Sequence, residues 1–280
     1  MSAIILDGKK LSIQIKKCVK NYISETNATP GIAIVAFENN LEGYAYLEGK
    51  RRDCVQCGVK NHEFVFSHNS EKSAVIKTID KLNNRADIHG ILLQMPLPFG
   101  YCEEELTQSI LPSKDVDGLH FSNMGRIMAG KPAFLPATPA GIMLLLKHYR
   151  IPLKGKRVVI IGRSNVVGKP LSMLFLQKDA TVTVCHKSSQ NLAEITRQAD
   201  ILISAAGVIG LVKADMIKPG AVVVDVAINI NNSGKFCGDV DFEAALDVAS
   251  HITPVPGGIG PMTRAMLLQN VLDAYKGLDK

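Results

Sequence analysis

Tyr46 and Lys50 stand four positions apart in YAYLEGKRRDC, so on a helix the phenol and the amine share a face. Tyr44 is six positions from Lys50 and falls out of phase. Lys50 is the member of this set that can take up and return a proton, provided something polar faces it. The alternative is a lysine stem snorkelling over a half-buried tyrosine. Gln94 supplies a candidate partner, an amide at the end of the apolar run in GILLQMPLP, just ahead of two prolines. A polar side chain placed there faces either solvent or a ligand cleft. Asp117, in KDVDG, is the third candidate. It and Asp115 either shape an Asx turn or send one carboxylate into a cleft to accept N–H donors.

A second group of residues reads as a nucleotide site. In VVIIGRSNVVGKP, Gly162 ends an apolar strand, Arg163 follows it, and Gly168 is the next glycine. This is not the G-x-G-x-x-G spelling of a dinucleotide turn, but the strand–turn–helix context is the same. Helix N-terminal amides make a ready anion site, although an ordinary strand–turn–helix would look alike. The next strand is more telling. NAD-selective sites place Asp or Glu at its end to hold the ribose hydroxyl, whereas TVTVCHKSS ends in His186, Lys187, Ser188 and Ser189. Arg163 and Lys187 together suit a 2′-phosphate, which points to NADP.

These residues need elements to hold them. Leu11, Ile15 and Val19 recur at helical spacing ahead of the apolar strand GIAIVAF (31–37). A helix over 44–57 ends at Gly58, a strand follows near 63–66, a helix over 71–82, and a strand at 90–95. Continuous apolar strands separated by helices predict a parallel sheet covered on both faces. A Pro-, Asp- and Gly-rich loop region comes next, closed by PATPAG, where Thr138 suits an N-cap and Pro139 the first helical position. After Ile151-Pro152 a fresh βα series begins with RVVIIG, TVTVCH, DILISAAG and AVVVDVA, and this places a domain boundary near residue 149. PVPGGIGPM is a stiff loop before a final helix over 262–275. Ligands in such folds gather at the carboxyl ends of strands, so a cleft is expected between the two series.

Composition narrows the partners. The chain has 280 residues, 46% of them apolar, and a net charge of +6 scattered without a basic block. That fits an anionic small molecule and argues against a nucleic-acid tail. No apolar run approaches a membrane span, and the N-terminus MSAIILDGKK lacks the layout of a signal peptide, so a reducing cytoplasm is expected. Of six cysteines only Cys54 and Cys57 form a C-x-x-C pair. With no second pair, they read as structural thiols and no metal is expected.

The set YxxxK (46–50), GILLQMPLP (90–98), KDVDG (114–118), PATPAG (136–141), GRSNVVGKP (162–170) and TPVPGGIGPMT (253–263) resembles the bifunctional methylenetetrahydrofolate dehydrogenase/methenyltetrahydrofolate cyclohydrolase family across essentially the whole chain. The resemblance implies an α/β protein of two domains with a cleft between them. A folate-binding catalytic domain would span 1–148 plus the helix 262–280, and a Rossmann-like NADP-binding domain 149–261. It implies catalytic roles for Tyr46, Lys50, Gln94 and Asp117. Gly162, Arg163, Ser164, Lys187 and Ile228 would surround the cofactor, while Tyr46, Asp117, Pro254 and Gly257 would contact a tetrahydrofolate derivative. A cytoplasmic homodimer in one-carbon metabolism is implied too. The chain departs from the family pattern at Leu41-Glu42-Gly43, at Ala137 and at Ala227. A dehydrogenase with little cyclohydrolase activity, or a silent folate- or nucleotide-binding paralogue, are the alternatives.

Overall fold

The computed structural model describes residues 2–38, 41–131, 133–231 and 233–277, with backbone alone for 41–46. The chain divides into two compact units: Ile13–Ala137 with Arg264–Lys280, and Met1–Ser12 with Thr138–Thr263.

The first unit is built on the strand Gly31–Phe37, every residue of which is buried. It is flanked in parallel by Lys60–Phe66 on one side and Gly90–Leu93 on the other. Side chains alternate across a strand, so Ile32, Ile34 and Ala36 face one way and Ala33, Val35 and Phe37 the other. The even set packs with Val19 and Ile23 of helix Gly8–Thr26, Cys54 and Cys57 of helix Leu41–Cys57, and Leu268 and Val271 of helix Ile259–Tyr275. The odd set packs with Val75, Ile79 and Leu82 of helix Lys72–Asn83 and with Leu106 and Ile110 beyond. Burial pushes the Cys54 and Cys57 thiols up to about 12 and about 11, a range in which they are inert nucleophiles.

The region expected as loops holds two helices, Glu103–Gln108 and Phe121–Met128. The second was hidden because its cap is a histidine: His120 Nδ1 accepts the Ser122 N–H at 3.0 Å, a role more usual for Ser, Thr, Asn or Asp. Thr138 does not cap the following helix, which begins at Ala137. Its hydroxyl instead meets that of Thr263 at 2.8 Å.

In the second unit the strands run, in spatial order, Ile4–Ile5, His251–Ile252, Val222–Asp225, Ile201–Ser204, Arg157–Ile161 and Thr181–Cys185, all parallel. The two outer pairings explain why the division differs from the expected 1–148 and 149–261. Ile4 pairs with His251 and Ile5 with Ile252, which ties the N-terminal residues to the second sheet. Strands of two residues carry no readable periodicity. At the other junction the division falls at Ala137, inside the helix Ala137–His148, and not near residue 149.

One side chain fixes the loop that precedes this junction. Asn270, on the final helix and 1% exposed, donates from Nδ2 to the carbonyls of Val116 at 2.8 Å and Leu135 at 3.0 Å. Asn270→Ala leaves both carbonyls without that donor, so a loss of about 2–4 kcal/mol in denaturant stability is expected. Chemical unfolding followed by circular dichroism checks it.

Candidate functional site

Lys50 is drawn inward by the packing of its helix, with Leu47 and Cys54 on the same buried side. Its amine donates to Gln94 Oε1 at 2.9 Å in a buried hydrogen bond. Gln94 is placed by the sheet itself: its backbone N–H donates to the Val35 carbonyl at 2.8 Å, one step beyond the end of the neighbouring strand. The Gln94 Nε2 is engaged by the Met95 carbonyl at 2.6 Å, which turns the amide oxygen towards Lys50.

The two aspartates of KDVDG divide their roles. Asp115 is the loop builder: its Oδ2 accepts the His120 N–H at 2.7 Å and Asn123 Nδ2 at 2.8 Å. Its backbone bridges to Ile91 in the sheet. Asp117 is the projecting acid. Among the described residues its carboxylate makes no hydrogen bond, yet it faces Lys50 closely enough for the two charges to attract.

Burial outweighs that attraction for both groups. Desolvation lowers the Lys50 amine to about 8, opposed chiefly by the Asp117 charge and assisted by Arg264. Desolvation likewise raises the Asp117 carboxyl to about 6, opposed by Lys50 and reinforced by Asp115 and Glu103. Removing water disfavours the charged form of either group. The result is an amine that can be neutral within a unit of physiological pH and an acid that remains mostly ionised there. Lys50, Gln94 and Asp117 are thus one constellation. The Tyr46 side chain lies outside the described residues, as do the side chains of Leu41 and Glu42.

The second constellation belongs to the other unit. Strands Arg157–Ile161 and Thr181–Cys185 pair in register, Ile161 opposite Cys185, so the turns that follow them are neighbours. Gly162 donates its N–H to the Cys185 carbonyl at 2.8 Å and has φ of +122°. A Cβ there would meet the Ala205 oxygen at 2.4 Å, so a side chain cannot occupy this turn. Ser164 Oγ accepts the Val167 N–H at 3.1 Å and so shapes the approach to helix Gly168–Leu176. Arg163 and Lys187 are exposed after their strands, and neither side chain makes a hydrogen bond or ion pair among the described residues. His186 accepts the Ser188 N–H through Nδ1, and its own N–H donates to Ser189 Oγ. The turn therefore carries no acid. These features fit a dinucleotide bearing an extra phosphate: a tight glycine turn between a strand end and a helix N-terminus, with two exposed cations in the adjacent turns. Ile228, 53% exposed, is an apolar side chain open to a ring. Ala227 is buried beside it, its N–H donating to Asp225 Oδ1 at 3.2 Å. Gly257, with φ of +116°, stands three residues after Pro254 in the loop before the last helix. Ala137 is 1% exposed in the core.

Sequence reasoning passed over Asp239, which is fully buried and gathers five donors. Its Oδ2 accepts from Ser204 Oγ, Ala206 N and Gly207 N, and its Oδ1 from Val208 N and Asn229 Nδ2. It pins the loops that leave the ends of two neighbouring strands. In the sequence, GDVD offers only an aspartate beside a glycine, which is also the mark of an ordinary turn.

Two family models match the chain: the catalytic domain of tetrahydrofolate dehydrogenase/cyclohydrolase over residues 6–117, and its NAD(P)-binding domain over 136–278. The bifunctional protein FolD of Acetivibrio thermocellus is 45% identical over 279 residues, covering 99% of this chain and 98% of that one. The bifunctional FolD enzyme of Campylobacter jejuni superposes with a TM-score of 0.96 at 43% identity, covering 99% of each chain. The Trypanosoma brucei enzyme, solved with NADP and an inhibitor, gives 0.95 at 32% identity, covering 99% of this chain and 98% of that one.

Asp117 is an acid that keeps the Lys50 amine from falling further. Asp117→Asn removes that charge, so the amine should drop below about 8, by on the order of one unit. Reductive methylation with labelled formaldehyde, followed by a carbon NMR titration of Lys50, reads the shift.

Proposed function

The chain belongs to the tetrahydrofolate dehydrogenase/cyclohydrolase family, and on that premise we propose that it oxidises methylenetetrahydrofolate with NADP+ and hydrolyses the methenyl product to formyltetrahydrofolate. The observation that carries this reading is the buried hydrogen bond between Lys50 and Gln94, with Asp117 facing the same amine.

The first reaction asks little of the side chains. The carbon lies between two nitrogens whose lone pairs expel a hydride, and the product is a resonance-stabilised cation. No general base is required, only placement. Bound NADP+ supplies the hydride acceptor. Gly162 would let the backbone approach it closely, Arg163 and Lys187 would hold its 2′-phosphate, and Ser164 and Ile228 would bound its seat. Asp117 would accept N–H donors from the pterin, and Tyr46 would stack on the folate rings. Pro254 and Gly257 would line the folate site.

Hydrolysis is different, because water must lose a proton as it attacks the cation. Neutral Lys50 accepts that proton as the C–O bond forms. It returns a proton to the ring nitrogen as the C–N bond breaks, and the new hydroxyl releases its own to solvent. Burial keeps the amine close to neutrality, and a neighbouring substrate cation favours the neutral form further. Gln94 orients the amine without adding charge that would oppose this. The same reading takes the chain as a cytoplasmic homodimer acting in one-carbon metabolism.

The direct test follows NADP+ reduction in the presence of methylenetetrahydrofolate, then the loss of the methenyl chromophore. Lys50→Met keeps the stem and removes the amine. Hydrolysis should fall about 10²–10⁴-fold, while hydride transfer persists. Hydrolysis at the unmodified rate would overturn the role of Lys50. Arg163→Ala should weaken NADP+ binding by about 1.5–3 kcal/mol and narrow its advantage over NAD+, as read by the KM for each cofactor. Equal use of both cofactors by the unmodified enzyme would remove the basis for the phosphate site.

A further inference from the structure

An ion group that this chemistry leaves unused lies directly behind Lys50. Asp53, one turn further along the same helix and 6% exposed, is held by Lys16 Nζ at 2.8 Å and by Arg264 Nε at 3.3 Å. The three side chains come from three helices: Gly8–Thr26, Leu41–Cys57 and Ile259–Tyr275. Asp53 Oδ2, which faces Arg264, accepts no hydrogen bond among the described residues. The Arg264 guanidinium rests on the helix backbone at Gly49, the residue before Lys50. A Cβ at Gly49 would lie 1.9 Å from its Nη1. Lys50, Asp53, Cys54 and Arg264 line one small pocket with Ile34 and Leu267.

Stability alone does not account for such a group. Well-packed hydrocarbon in place of a buried ion group is often neutral or more stable, and apolar side chains already surround this one. The sum of two cations and one anion leaves a net positive charge at the back of a lysine.

We propose that Arg264, held by Asp53 and seated on Gly49, is a positioning residue for the cyclohydrolase step, whose positive charge favours the neutral, proton-accepting form of Lys50. The proposal rests on the reading of Lys50 as the proton carrier. Every charged or titratable neighbour enters the balance. Arg264 faces the amine from the last helix, Cys54 and Asp53 from its own, and Asp117 from the KDVDG loop with Glu103 behind it. Lys16 stands behind Asp53, and Gln94 adds no charge. Burial does most to lower Lys50, the Asp117 charge opposes it, Arg264 adds to it, and Cys54 stays a neutral thiol in this range.

The test is the pH profile of methenyltetrahydrofolate hydrolysis, with the spontaneous rate subtracted. Hydrolysis should fall as the pH drops and the amine takes up a proton. Arg264→Gln should move the midpoint of that fall upward by roughly half to one pH unit, with a several-fold loss of rate at neutral pH. Asp53→Asn, which unmasks the arginine, should move it downward. Gly49→Ala keeps every charge but displaces the guanidinium, and should move it upward without weakening the helix, since alanine is the better helix former. Opposite shifts for Arg264 and Asp53 are not produced by a merely structural role, which would lower the melting temperature and leave the midpoint in place. An unmoved midpoint in all three folded variants, with Lys50→Met inactive, overturns this proposal and leaves Lys50 as the proton carrier. Full hydrolysis by Lys50→Met overturns both.

Discussion

The strand Gly31–Phe37 leaves no residue exposed, and the surroundings of Lys50 follow from the need to cover it. Apolar side chains alternate on its two faces, so each face must be sealed by helices. One face takes three of them, and the polar edges of those helices are thereby brought together around Lys50, Asp53 and Arg264. The neighbouring strand Gly90–Leu93 ends where the central one still has a carbonyl to offer, and Val35 takes the N–H of Gln94. The constellation is thus a by-product of sheet register and helix cover. Only Asp117 comes from a loop, and Asp115 holds that loop in place through the His120 amide and Asn123.

Sealing the face also decides the chemistry. A lysine and an aspartate facing each other in water would both keep their charges over a wide pH range. Here the loss of solvent outweighs their attraction, and each moves towards its neutral form. That leaves an amine able to exchange protons under ordinary conditions. Hydride transfer makes no comparable demand, and the residues read as the cofactor site are exposed cations and a bare backbone turn. On the proposed reading the two tasks draw on two different physical resources, desolvation in one unit and surface charge with a glycine turn in the other.

Much of this was legible in the sequence. The run GIAIVAF gave its strand to the residue, because a strand buried on both faces has no polar position to blur its ends. Lys50 was legible as a candidate because it shares a helical face with Tyr46, and Gln94 because it is a polar side chain at the end of an apolar run. Residue types and spacing alone left Asp115 and Asp117 open, and only the family resemblance singled out Asp117, since the choice depends on Asn123 and the His120 amide reaching Asp115 from later in the chain. The strand Ile4–Ile5 was invisible for a similar reason: its partner His251–Ile252 is remote in sequence and equally short. Arg264 and Asp53 did leave a trace. Each falls in helical phase with buried neighbours, Arg264 with Leu267 and Leu268, and Asp53 with Lys50 and Cys57. A charge in such a phase signals a buried pair, but not with whom.

The chain passes between the two units at Ser12/Ile13, Ala137/Thr138 and Thr263/Arg264, and each passage falls within a helix: Gly8–Thr26, Ala137–His148 and Ile259–Tyr275. Neither unit is therefore a contiguous piece of gene. A recombination that exchanged one half of the molecule for another would need three coordinated joints, each splicing a helix in phase. Moving the nucleotide-binding half alone, as a tethered module can be moved, would therefore have to keep all three helices in phase at once, whereas substitutions, and insertions in exposed loops, meet no such condition.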